Sequence, residues 1–162
     1  MIDIGLDFST KALHLAVRKE DDEIEYVIFK AGGDQVDDRV YDLYLQLKEY
    51  LLGLKGVKAK VVCEGLIASS RNPRTATALT KMWTLIMAAS KDTGCHFQEV
   101  LPSAWKKAVL GNGKASKADS KARWGLEDDN LADARGILEY AINNHQVLLQ
   151  GTEICQLTDV TH

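Results

Sequence analysis

The sequence predicts an α/β domain: a five-stranded mixed sheet, an antiparallel meander followed by two parallel strands, with helices on its faces. Three observations predict it. Three short runs rich in β-branched, leucine and aromatic residues open the chain, joined by links of only a few polar residues. Two more apolar runs follow, each after a stretch whose apolar residues recur with helical period. A helix between those two runs makes them a right-handed parallel crossover. The 162 residues contain no repeat, low-complexity tract or Pro/Gly/Ser-rich linker, so a single domain over 1–162 is expected.

Each element has its own signal. Residues 2–7 alternate Ile2, Ile4 and Leu6 with Asp3, Gly5 and Asp7, and the runs 12–17 and 24–29 follow across FSTK and RKEDDE. From Val36 the apolar positions fall at Val36, Val40, Leu43, Tyr44, Leu47 and Leu51, a helix that ends near Gly53. The strand 59–64, AKVVCE, is more continuously apolar and suits the middle of a sheet covered on both faces. Asn72 and Pro73 open a second helix, with Ala76, Leu79, Trp83, Ile86 and Ala89 or Ser90 as its buried stripe and Gly94 as its stop. A fifth strand spans about 96–100. A short helix from Pro102 or Ser103 to Leu110, the loop GNGKAS, a basic stretch to Trp124 and a last helix from Asp129 to about Asn143 complete the pattern. Residues from about 145 to 162 fit a strand or a tail.

Composition excludes several function classes. No segment approaches the ~20 continuous apolar residues of a membrane span, and the N-terminus carries aspartates where a signal peptide has a basic region, so the cytoplasm is the expected compartment. Cys63, Cys95 and Cys155 lie far apart with no CxxC pair, which argues against a disulfide framework or a thiolate metal site. The net charge of −3 hides a segregated pattern: 20–50 is net −7, 54–81 and 102–124 are each +5, and 125–162 is −6. Two positive segments on one face would make a polyanion footprint; on separate faces they are ordinary solvated surface.

Four acids stand out. Asp7 ends the first strand, where a carboxylate points into the crevice in which open α/β sheets bind ligands, or closes a tight turn with Ser9 and Thr10. Glu64 ends an otherwise apolar strand, where a carboxylate is costly unless paired, protonated or metal-bound. In EDDNLAD, Asp129 and Asp133 are four residues apart and Asn130 and Asp133 three, so all share a helix face; capping explains an Asp at the helix start but not Asp133 in the second turn. Hard oxygen ligands from distant parts of a chain suit Mg²⁺ or Mn²⁺, and two such ions ~3.5–4 Å apart can clamp a phosphoryl displacement. His14, His96, His145 and His162 fall in no arrangement that suggests a nucleophile or ligand, and Trp83, Trp105 and Trp124 are expected in the core or an interface.

GLDFST, VVCEG, GxGKASK and NLADARGILEYA together resemble the RuvC-type Holliday junction resolvases of the RNase H-like superfamily, the phage versions in particular, over about residues 2–143. The resemblance implies an RNase H-like fold, a homodimer, two Mg²⁺ or Mn²⁺ ions per site, and cleavage of four-way or related branched DNA, in a phage-infected cell if the gene is a phage's. It assigns the acids as Asp7, Glu64 and Asp133, with Asp7 bridging both ions, and places Lys106 and Lys117 beside the scissile phosphate. Two features depart from the family pattern. Phe8-Ser9 replaces Pro-Gly after the first acid, and Asn130 stands where the third acid is expected, so Asp129 takes that role. Arg71, Arg74, Lys107, Lys114 and Arg123 are the remaining candidates for DNA contact, and Lys121 is left as ordinary surface. Two other readings stand beside this one. A dimer that binds branched DNA without cutting is favoured by Asn130, and an actin-like or sugar-kinase nucleotide-binding fragment is suggested by DxGxDxSTK but opposed by the length of the chain.

Overall fold

A computed structural model describes residues 1–54, 56–66 and 72–156, with side chains described only as far as 144. The strands are β1 (Ile2–Phe8), β2 (Ala12–Arg18), β3 (Ile24–Lys30), β4 (Ala59–Glu64) and β5 (His96–Val100). They form one sheet in the order β3-β2-β1-β4-β5. β1 and β3 run antiparallel to β2, while β1 with β4 and β4 with β5 run parallel. This is the meander and crossover the sequence predicts. Among the described residues no helix is long and apolar enough to cross a membrane.

Side chains alternate across the sheet and define two layers of helix. On one face Ile4, Leu6, Leu13, Leu15, Val61 and Cys63 are buried with Leu43 and Leu47 of α1 (Val36–Gly53) and Met82 and Ile86 of α2 (Pro73–Asp92). The buried face of α2 is Ala78, Met82, Ile86, Ala89 and Ser90, rotated from the expected stripe, which leaves Ala76, Leu79 and Trp83 half-buried. Trp83 instead meets Phe97 of β5 edge-on at 5.7 Å.

The opposite face carries Asp7, His14, Val62 and Glu64 toward α3 (Pro102–Leu110), α4 (Lys117–Trp124) and α5 (Asp129–Gln156). α5 lies almost on the sheet because β1 has Gly5 beneath it. A Cβ there would stand 2.3 Å from both the Ala134 carbonyl oxygen and the Leu138 nitrogen. The basic stretch before Trp124 is a helix, α4, fixed at its start by a reciprocal capping box between Ser116 and Asp119 and at its end by Gly125 in the left-handed region. α5 continues past Asn143 through Gln156, so residues 145–156 are helix rather than strand or tail; 157–162 lie outside the described residues.

Candidate active site

Three carboxyls from distant parts of the chain share one end of the sheet. Asp7 and Glu64 stand at the C-terminal ends of the parallel neighbours β1 and β4, where Leu6 pairs with Cys63 one step earlier. Asp133 comes down from the second turn of α5, held close by the Gly5 contact. Burial, then the charges of Glu64 and Asp133, push the Asp7 carboxyl up to about 7, against an opposing pull from Lys117. Glu64 is also raised, by burial first; an N–H from the Trp105 indole, donated to Oε1 at 2.9 Å, works the other way.

Asp133 is 5% exposed, and its Oδ1 is buried without a hydrogen-bond partner. An orphaned carboxylate oxygen beside two more acids whose charged forms are disfavoured is what a divalent cation would satisfy, and the donor set is all hard oxygen. The fit is loose in one respect: among the described residues no three His, Cys, Asp or Glu side chains are gathered closely enough to hold one ion together.

Lys117, the first residue of α4, sits among these acids. Its ammonium donates to Asn130 Oδ1 at 2.7 Å and pairs with Asp129 Oδ2 at 3.3 Å. Burial opposes its charge, but Asp7, Asp129 and Asp133 outweigh burial and raise its pKa. Asp129 and Asn130 therefore share one cation, and neither caps the helix. That role belongs to Asp128, whose Oδ1 accepts the Asn130 and Leu131 amides at 2.9 and 3.0 Å. Burial works against the Asp128 charge, yet those amides and His14 hold its carboxyl below the usual range.

The other candidates are placed less centrally. Lys106 donates to the Ala115 carbonyl at 3.1 Å and lies 5.4 Å from the Trp105 ring centroid, with its charge felt at Glu64. Arg74, Lys107, Lys114 and Arg123 are exposed, Arg123 lying 5.2 Å from the Trp124 ring centroid. Arg71 falls outside the described residues. Ser9 replaces a compact Pro-Gly turn chemically: its Oγ accepts the Lys11 and Ala12 amides at 3.2 and 3.1 Å, closing the link after Asp7.

Two residues escaped the sequence reading. His14 is the cross-strand partner of Asp7, only 7% exposed, with Nε2 4.0 Å from Asp128 and a buried Nδ1 lacking a partner. Burial lowers its pKa, with Asp128 opposing. The signal was present, because a meander closed by a turn at FSTK pairs position 7 with position 14. Trp105 is core, as expected, but its N–H is directed at Glu64, which no spacing rule reveals.

No protein-family model matches the sequence, and no curated protein matches it. Solved structures do. Thermus thermophilus RuvC superimposes with a TM-score of 0.63 at 20% identity, covering 85% of this chain and 91% of that one. The same organism's RuvC in complex with a Holliday junction substrate gives 0.65 at 18% identity, covering 85% and 90%. The yeast mitochondrial Holliday junction resolvase gives 0.51 at 16% identity, covering 84% and 75%. The fold is thus the one shared by these resolvases, in agreement with the resemblance carried by the four sequence motifs.

Proposed function

We propose that the protein is a divalent-metal-dependent endonuclease that cuts four-way or related branched DNA junctions. The observation that carries this reading is the convergence of Asp7, Glu64 and Asp133, each from a different element, with the Lys117 ammonium among them. The RuvC fold supports the choice of junction DNA over other phosphodiesters, since one structure of that fold is a complex with a Holliday junction.

Asp7, Glu64 and Asp133 would hold two Mg²⁺ or Mn²⁺ ions, with Asp129 or Asn130 as the further ligand. When bound, such ions supply the positive charge that steadies the attacking and leaving oxygens of an in-line displacement. Lys117 adds a positive charge at the same place, poised to offset the negative charge that grows on the phosphate oxygens. Lys106, tied to the loop at Ala115, extends that charge toward the strand, and exposed Arg74, Lys107 and Lys114 are available for backbone phosphates.

Cutting opposed strands of a two-fold symmetric junction calls for two sites, which a homodimer provides. The surface offered to a partner is on α1, where Tyr41 and Leu45 are 58% and 45% exposed, whereas Met82 and Ile86 of α2 are buried in the core.

The test is cleavage of a synthetic four-way junction against a linear duplex of the same sequence in Mg²⁺ and in Mn²⁺. Asp7→Asn and Glu64→Gln should each lose at least about a thousandfold in rate while junction binding is kept or strengthened, because less negative charge faces the DNA. Either variant retaining activity within about tenfold of the parent, a barrier change of only ~1.4 kcal/mol, would remove the metal-site assignment. Tight junction binding with no cut in either metal would leave the non-cleaving reading.

A further inference from the structure

We propose that Trp105 is a positioning residue for Glu64: its indole N–H fixes one carboxylate oxygen and leaves the second free to ligate a divalent cation. The inference rests on the reading of Glu64 as a metal ligand.

The contact is built from both sides. Trp105 is fully buried, packed with Val62, Val100, Ile137 and Ala141, and its Nε1–H reaches Glu64 Oε1 at 2.9 Å. Room for the ring is cut into α5 at Gly136, where a Cβ would stand 2.4 Å from Cζ3 and 3.0 Å from Cε3 of the indole. Gly136 lies three residues after Asp133, on the same side of the helix. One helix therefore carries a candidate ligand and, one turn later, the gap that seats the support of another.

Packing alone does not account for the contact. The indole nitrogens of Trp83 and Trp124 are buried with no hydrogen-bond partner, whereas that of Trp105 has a carboxylate. A charge-assisted hydrogen bond at 2.9 Å from a ring that packing holds still fixes the orientation of the Glu64 carboxylate. Partners behind a metal ligand commonly set affinity by tenfold or more.

The experiment has two arms. Calorimetric titration of Mn²⁺ into the protein without DNA should show about tenfold weaker binding for Trp105→Phe, which keeps the ring and loses the N–H. Gly136→Ala, which displaces an intact indole, should weaken binding in the same direction. Glu64→Gln should weaken binding on its own, and adding Trp105→Phe to it should cost nothing further. In the second arm, Mg²⁺ is added to the ¹⁵N-labelled wild-type protein. The Trp105 indole signal should move while those of Trp83 and Trp124 stay, and Trp83→Phe and Trp124→Phe assign it by elimination, so no variant at Trp105 is needed. Mn²⁺ affinity of Trp105→Phe within twofold of wild type, the same loss repeated in the Glu64→Gln background, or an unmoved Trp105 signal at saturating Mg²⁺ would each overturn the proposal. Unchanged Mn²⁺ affinity in Glu64→Gln alone would instead overturn the reading of Glu64 as a ligand.

Discussion

At Asp7, burial and two neighbouring acids all favour the neutral carboxyl, which sets a pH dependence of known sign. Its pKa is about 7 in the folded protein against an ordinary 3.8. A carboxyl raised on folding contributes stability below its unfolded pKa and loses it as pH climbs through the folded value. In the presence of a chelator, the melting-temperature advantage of Asp7→Asn over wild type should therefore grow by several degrees between pH 5 and pH 8, at about 2–4 °C for each kcal/mol. An equal advantage at both values would show that Asp7 does not carry this strain. The neighbouring question, Asp129 against Asn130, is sharpened by Asp128. With the cap assigned there, Asp129→Asn loses only an exposed pair with Lys117, worth at most about 1 kcal/mol. Asp129→Asn should then keep its melting temperature and raise the Mg²⁺ needed for half-maximal cleavage by about tenfold. An unaffected Asp129→Asn beside a crippled Asn130→Ala would transfer the ligand role to Asn130. Asp7 was legible from its place at the end of the first strand, Glu64 as a charge closing an apolar strand, and Asp133 as a charge in the second turn of a helix, where capping does not explain it. His14 and Trp105 were not, since each fits its own element and acquires meaning only from what the fold sets beside it.

The elements show the same division. The first three strands follow from short apolar runs with short links and the last two from apolar runs after helical stretches, but α4 has only Ala118, Ala122 and Trp124 as apolar residues, too few for a stripe, and so reads in the sequence only as a basic stretch. The spacing of Ser116 and Asp119, with Gly125 eight residues past the start, was the available signal. That helix matters because Lys117 is its first residue, so the capping box sets where the ammonium stands. α5 was recognised but its depth was not: nothing in the sequence of α5 says that it rests on a glycine of β1. Gly5→Ala should be among the most damaging single-methyl changes in the chain, since the new carbon meets backbone on α5 rather than a side chain that can swing away. A loss of several degrees in melting temperature is expected, together with weaker Mg²⁺ binding as Asp133 is lifted away from Asp7. Unchanged melting would mean that α5 is not seated by this contact.

For the whole molecule, the question is how an acidic protein holds DNA, and the fold changes the charge arithmetic of the sequence. Among the described residues, the cations of the two positive segments do not all share one face. Lys58 immediately precedes β4 and Lys60 is its second residue, at the end of the strand away from Glu64, and Lys60 is buried and feels the charge of Asp3. Lys81 is engaged with Asp37 at 2.6 Å. Within the described part of 54–81, Arg74 is the cation left near the acids' end of the sheet, at the start of the helix that follows β4. The segment 102–124, by contrast, contributes Lys106 and Lys117 at the site and Lys107 and Lys114 on exposed surface beside it. Junction affinity should accordingly fall with salt at a slope set by this smaller group, about −0.9 for each phosphate neutralised. Replacing Lys107, Lys114 or Arg74 with Ala should each flatten the slope by about one contact without changing the preference for a junction over linear duplex, because phosphate contacts position rather than select. Lys58→Ala, at the far end of the sheet, should leave the slope as it was. If Lys58→Ala flattened it as much as Lys107→Ala, the DNA would have to reach around to the other end of β4, and the binding surface inferred from the acids would be misplaced.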